Sequence, residues 1–309
     1  MADFDLLVLG DANPDLVLRG DVRPEFGQVE KLVDEARLVV GGSGAIMACG
    51  AARLGLTTSF CGVVGDDVFG RFMVDALQSS GVDTRALRVI DRASTGLSVI
   101  LSEGQDRAIL TFPGSIGDLS ARDVDLDLLG GARHLHASSY FLQRGLRAGL
   151  PGLFREAHRA GATTSVDPNW DPEERWDGDL LELLAETDVF LPNAAEARAI
   201  VGVDDVDAAA RSLAERARAV AVKCGPEGAL AVEGTETVRS EALSEEVVDM
   251  IGAGDSFDAG FIAARIEGWP LARCLDVAAA CGSLSTRGIG GTAAQPTMRE
   301  VLAALGEAP

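Results

Sequence analysis

Short apolar runs of strand length alternate with helix-length stretches along most of this 309-residue chain, and that alternation narrows the possible architectures most. Residues 4–10 form an apolar run ending at Gly10-Asp11. Residues 44–54 are an Ala-rich helical stretch stopped by Gly55. Residues 57–64 read as a strand, and Asp66-Asp67 caps a helical stretch, 69–79, that ends at Gly81. The pattern returns in the helical segments 150–160, 207–217, 254–267 and 271–286, in a helix starting near Asn193, and in the strands 163–166, 187–191 and 219–223. Strand–helix alternation of this kind implies a mainly parallel sheet covered on both faces. Two stretches depart from it. Residues 14–40 lack helical periodicity, and residues 95–112 read as two strands, 96–101 and 108–112, around Glu103-Gly104-Gln105-Asp106. The expected organisation is a core of residues 1–12, 41–94 and 113–309, with residues 13–40 and 95–112 pairing into a small β lid.

Composition excludes several functions. Asp and Glu number 48 against 27 Lys and Arg, a net charge of −21, which argues against a nucleic-acid or anionic-membrane partner. Lys31 and Lys223 are the only lysines, and neither lies in a GxxxxGK[ST] loop, so a P-loop NTPase is excluded. Five cysteines without CxxC spacing, no basic leader and no apolar run of about 18 residues suit a soluble, cytoplasmic protein with reduced thiols. His134, His136 and His158 do not assemble a metal-ligand set and read as structural. There is no GxSxG elbow, and Trp170 and Trp176 read as packing residues.

Two glycine-rich strings stand out. Asp249-Met250-Ile251-Gly252-Ala253-Gly254-Asp255-Ser256-Phe257 runs straight into a helical stretch. Glycines at 252 and 254 permit a turn whose amides converge on one point, and the helix dipole adds to them, giving an anion hole built without lysine. Asp255 would stand beside it as a general base. The segment taken alone reads more simply as a glycine turn with an Asp cap. Gly41-Gly42-Ser43-Gly44-Ala45 likewise suits close backbone approach to a polar ligand, or simply a loop-to-helix junction. It fails as a dinucleotide fingerprint because Met47 stands where the third Gly or Ala belongs.

Taken together the two strings resemble the paired signatures of the ribokinase-like (PfkB) carbohydrate kinases. Asp249 to Phe257 is similar to the family's C-terminal signature, and Gly41 to Gly55 with Gly62-x-x-Gly65-Asp66-Asp67-x-Phe69-Gly70 to its N-terminal one. Gly10-Asp11-x-Asn13-x-Asp15, Asp167-Pro168-Asn169, Pro192-Asn193-x-x-Glu196 and Lys223-x-Gly225-x-x-Gly228 follow in the family's order, so the resemblance spans nearly the whole chain.

The resemblance implies an α/β fold: a ribokinase-like three-layer α/β/α sandwich with a mainly parallel central sheet and a small β lid. It implies ATP- and Mg²⁺-dependent phosphorylation of a hydroxymethyl group on a free sugar or sugar-like small molecule. Asp255 would take the hydroxyl proton, and the amides of Gly252, Ala253 and Gly254 would stabilise the transferring phosphoryl group. Asp11, Asn13 and Asp15, with Gly41, Gly42 and Ser43, would hold the sugar. Asn169, Asn193, Lys223, Gly225 and Gly228 would meet ATP, Asn193 and Glu196 organising Mg²⁺ through water. Asp249, with carbonyls of residues 286–292, would hold K⁺ or another monovalent cation. The lid would close to exclude water, and lids of this kind pair into homodimers.

Ile46 and Ser43 depart from the family pattern: many sugar-binding members have Asn at the first position, and ribokinase-type sequences often have Lys at the second. These changes count against ribokinase itself and against a phosphorylated sugar, although Arg107 in the lid could supply a cation. A nucleoside kinase on the same scaffold and a catalytically silent ligand sensor are the alternatives. Residues 241–264 contain six carboxylates and no Lys or Arg, so metal ions are expected to carry the ATP charge there.

Overall fold

A computed structural model describes residues 4–103, 106–176 and 179–307. The chain forms two sheets. In the larger, β1 (Phe4–Leu9), β4 (Thr58–Gly65), β5 (Leu87–Ile90), β8 (Ala132–Ala137), β9 (Thr163–Val166), β10 (Val189–Phe190), β11 (Ala219–Lys223), β12 (Ala229–Glu233) and β13 (Glu236–Ser240) run in the spatial order 13-12-11-10-9-8-1-4-5. From β5 to β11 every pairing is parallel. The hairpin of β12 and β13 adds two antiparallel strands at the far edge, around Gly234 in the left-handed conformation. No periodicity read from the sequence had marked this hairpin.

Side-chain alternation in these strands makes two cores. Leu6 and Val8 of β1 face one side, with Ala221 of β11 and Ala229 and Ala231 of β12. Leu7 and Leu9 face the other, with Val220, Val222, Leu230 and Val232. The first face is covered by the helices Ser43–Arg53, Ala253–Ile266 and Leu271–Ser285, and small alanines on the strands let them approach closely. The helices Leu150–Ala160, Ala194–Val201 and Val206–Ala214 cover the second face. The result is a three-layer α/β/α sandwich. Among the described residues no helix is long and apolar enough to cross a membrane.

The smaller sheet contains β2 (Asn13–Arg19), β3 (Glu35–Gly41), β6 (Leu97–Glu103) and β7 (Asp106–Phe112), in the order 3-2-6-7. Gly104 and Gln105 of the expected turn lie outside the described residues. Register sorts the two faces of this sheet. Val39, Asp15, Ser98 and Thr111 lie in one row on the inner face, while Leu38, Leu16, Val99 and Leu110 form the adjacent row on the outer face. Val17 and Ile100, also inner, pack on Ile251 of the main body. The sheet therefore presents polar groups and a few anchoring aliphatics inward, and mainly apolar side chains outward.

Candidate active site

The C-terminal ends of parallel strands are where open α/β folds place their sites, and the motif residues gather there. Asp11 follows β1, Asp167 follows β9, Asn193 follows β10 and Lys223 ends β11. The Ala253–Ile266 helix starts above this edge at Gly252, whose φ of 72° lies in the left-handed region. A Cβ at Gly252 would stand 2.5 Å from the Gly291 backbone and 2.9 Å from Ile46, so the turn admits only glycine. No side chain caps this helix start; the Ala253 amide makes a long bond, 3.4 Å, to the Met250 carbonyl.

Asp255 lies in the first turn of that helix, half-buried. Burial and the neighbouring charge of Asp167 push its pKa up to about 8, against the opposing pull of Lys223, and the Ser43 hydroxyl donates to its carboxylate. One turn further on, Asp258 is buried, and both its oxygens accept from Lys223 Nζ, at 3.1 and 3.0 Å. The third Lys223 hydrogen goes to Asp167 Oδ2 at 2.9 Å. Burial opposes the lysine charge, but Asp167 and Asp258 more than offset it and raise its pKa. Burial raises the Asp258 pKa, with the charge of Asp167 and a hydrogen bond to it acting the same way, while Lys223, bonded to both oxygens, pulls toward the carboxylate.

A cluster of polar groups lies between Asp255 and the small sheet. Asp11, buried, accepts from the amides of Ser43 at 3.2 Å and Gly44 at 3.1 Å, and so tethers the start of the Ser43–Arg53 helix. Asn13 donates to Asp15 and Ser98, each at 3.4 Å. Burial and then the charge of Asp11 push the Asp15 pKa up to about 7, against the pull of Arg107. The Asp15 carboxylate lies directly over Gly41, where a Cβ would come within 2.0 Å of Oδ1. Gly42, with φ of 79°, passes over the Asp11 carbonyl. Asn169 sits in a left-handed turn held by Asp167, and its amide reaches Ser139 Oγ at 3.2 Å and Ser43 Oγ at 3.5 Å. Asp11, Asn13, Asp15, Gly41, Gly42, Ser43, Asn169 and Asp255 therefore form one contiguous polar cluster.

On the other side of the Gly252 turn lies a cleft of about 480 Å³. Lys223, Gly225 and Gly228 line it, with apolar walls from Pro226, Leu243, Val247 and Phe257, and it ends at Ala253 and Gly254. A Cβ on Gly228 would collide with the Ser240 carbonyl at 2.0 Å. Asn193 and Glu196 form a reciprocal cap at the start of the Ala194–Val201 helix. Glu196 is buried rather than solvated, and burial together with Asp167 raises its pKa to about 7. Asp249 accepts from the amides of Ile251 at 3.0 Å and Gly290 at 2.9 Å, tying the glycine turn to residues 286–290.

A family model described as pfkB family carbohydrate kinase matches residues 3–298. The chain belongs to the PfkB family of carbohydrate kinases. It is 33% identical to the ATP-dependent ribose-1-phosphate kinase of Halopiger xanaduensis over 98% of each chain. A putative ribokinase II from E. coli, solved with ATP and Mg²⁺, superposes with a TM-score of 0.87 at 25% identity over 98% of this chain and 99% of that one. Arabidopsis thaliana ribokinase, solved with ribose and ATP, gives 0.85 at 25% identity over the full length of both. As a PfkB member the chain is a phosphotransferase that acts on a hydroxyl group.

Several features of this PfkB kinase were not legible as site residues in its sequence. Asp167 and Asp258 join Lys223 from 56 and 35 positions away. The i, i+3 spacing of Asp255 and Asp258 was the signal on offer for the second. Ser139, buried in a left-handed conformation, accepts from Asn169 and donates to Asp11. Gln143 is buried with neither side-chain amide atom hydrogen-bonded, and nothing in its local sequence distinguishes it. His134 and His136 are interior groups of β8, bridged by Ser165 at 2.7 Å to each ring. Ile46 packs under the Gly252 turn and against Gly291, which accounts for an apolar residue there.

Proposed function

We propose that this kinase transfers the γ-phosphoryl group of ATP to a hydroxymethyl group of a free sugar or sugar-like molecule. Asp255 acts as general base and the Gly252, Ala253 and Gly254 amides form the anion hole. The observation that carries the reading is the position of Asp255, between an uncapped helix start that adjoins a nucleotide-sized cleft and a cluster of hydroxyl-binding groups. Sugar hydroxyls meet Asp11, Asn13, Asp15 and the Gly41–Gly42–Ser43 backbone, while the apolar walls beside Gly225 and Gly228 take the base of ATP. As the acceptor oxygen attacks phosphorus, its proton passes to Asp255 and the bridging oxygen leaves with ADP.

Glu196 is buried and accepts from the Asn193 amide, and a carboxylate beside an Asn side chain fits a hydrated divalent cation. Glu196 and Asn193 would hold Mg²⁺ through water, and the ion when bound neutralises charge on the phosphates. Asp249 and carbonyls of residues 286–292 hold a monovalent cation beside the turn. A sugar carrying its own phosphate or carboxylate is the second reading. The charge of Arg107 reaches Asp15, and a relative at 33% identity acts on ribose-1-phosphate.

The deciding experiment measures ATP consumption across pentoses, hexoses, sugar acids, sugar phosphates, polyols and nucleosides, with and without K⁺. Turnover of a neutral sugar or polyol above the rest supports the first reading, and turnover of an anionic sugar supports the second. A nucleoside far above every sugar overturns both. In the same assays Asp255→Asn is expected to lower kcat by about 10³-fold or more with ATP affinity nearly kept. Retained turnover removes Asp255 from the chemistry.

A further inference from the structure

Lys223, expected from the motif to meet ATP, has its ammonium bonded to carboxylates instead. An ammonium has three hydrogens, and all three are given to carboxylates: one to Asp167 and two to Asp258. The side chain is 12% exposed, and its partners are 8% and 1% exposed. The three residues come from three elements. Asp167 follows β9, Lys223 ends β11, and Asp258 lies one turn beyond Asp255 on the Ala253–Ile266 helix. The lysine stem passes beneath the anion turn, its Cδ 3.5 Å and Nζ 3.7 Å from where a Gly254 Cβ would stand. We infer that Lys223 is a positioning residue: the Asp167–Lys223–Asp258 clamp fixes the catalytic helix to the sheet edge and supplies the buried positive charge against which Asp255 works. The inference rests on Asp255 as the base.

The charges facing Asp255 come from every element packed against it. Asp167 approaches from β9, Asp11 from β1, Lys223 from β11 and Asp258 from its own helix, with the Ser43 hydroxyl opposite. Three carboxylates disfavour a fourth charge, and the lysine favours it. Removing Lys223 therefore makes Asp255 harder to ionise, and removing the charge of Asp258 makes it easier. A clamp that served only to hold the fold would not move the titration in opposite directions.

The test compares Lys223→Met, Asp258→Asn and the double variant. In Lys223→Met the acid limb of kcat/KM is expected to move up by about one pH unit or more, with kcat lowered about 10²-fold and KM for ATP within about threefold. In Asp258→Asn the limb moves down, and in the double variant it returns close to the starting position. The double variant also guards against misfolding of the first, since it leaves no uncompensated Asp258 charge buried. A second readout follows the Asp255 carboxyl by ¹³C NMR in the free protein, assigned through its loss in Asp255→Asn. An unmoved carboxyl in both single variants overturns the clamp. A carboxyl that moves while the activity limb stays fixed supports the clamp and overturns Asp255 as the base. A rise of tenfold or more in KM for ATP in Lys223→Met, with the limb unmoved, makes the lysine a phosphate ligand and also overturns the inference.

Discussion

Asp255 works under a constraint that its own motif does not show. Its carboxyl titrates near 8 because burial and Asp167 outweigh Lys223. With Asp255 as the proposed general base, which must be deprotonated to act, kcat/KM should fall as pH drops through about 8, far above the ordinary carboxylate range. A pH–rate profile of the free enzyme checks this, and an acid limb near 4 would contradict it. The same shift has a stability cost. Raised from 3.8, the group binds its proton more tightly when folded, so folding loses stability progressively between pH 4 and about 8 and no further above. Asp255→Asn should therefore be more stable than the parent at pH 9, by an amount on the order of a few kcal/mol at most and visible as a higher melting temperature, and the gap should close toward pH 4. The position of Asp255 could be read from its glycine string. Its environment could not, because Asp11, Asp167 and Lys223 converge from distant strand ends, and only the fold brings them together.

At the scale of elements, the parallel sheet was readable because its strands are buried on both faces and appear as continuous apolar runs. The β12–β13 hairpin was not, because β13 is short and largely exposed and carries no such run. The small sheet shows what register adds. Its two expected pieces were visible as departures from the helix–strand rhythm, but only the pairing shows that Asp15, Ser98 and Thr111 share the inward row. The same register puts Leu38, Leu110 and Phe112 outward, and they are 40%, 62% and 55% exposed. We propose that a second copy of the chain covers this face, since a two-fold pairing lets one apolar surface satisfy itself. Sedimentation of the parent should give a dimer, and Leu110→Lys should give a monomer with its fold intact. A monomeric parent at high concentration would end the proposal. Gly41 links this sheet to the site. Gly41→Ala would drive a Cβ to 2.0 Å from the Asp15 carboxylate, so it should raise KM for the acceptor about tenfold or more while KM for ATP changes little.

For the molecule as a whole, the net charge of −21 and the local site act in the same direction. Asp11, Asp15, Asp167, Glu196, Asp255 and Asp258 act on one another electrostatically at this sheet edge, and the ammonium of Lys223 is already committed to two of them. An ATP anion approaching this edge meets the repulsion of the net charge, and the local attraction proposed above comes from amides, a helix start and metal ions. Most nucleotide sites gather cations, and salt weakens their binding by screening an attraction. Here the long-range part is repulsive, so screening should strengthen binding. With Mg²⁺ saturating and any monovalent-cation requirement met by a fixed level of K⁺, KM for ATP should fall as tetramethylammonium chloride is raised from about 20 to 200 mM. Over that range the Debye length shrinks from roughly 20 to 7 Å. Removing Mg²⁺ with EDTA should abolish turnover at every salt level, because screening acts at a distance and cannot replace an ion at the phosphates. A KM that rises with salt would mean that an attractive field guides ATP in, and Arg107 and its neighbours in the small sheet would be the first residues to test as its source.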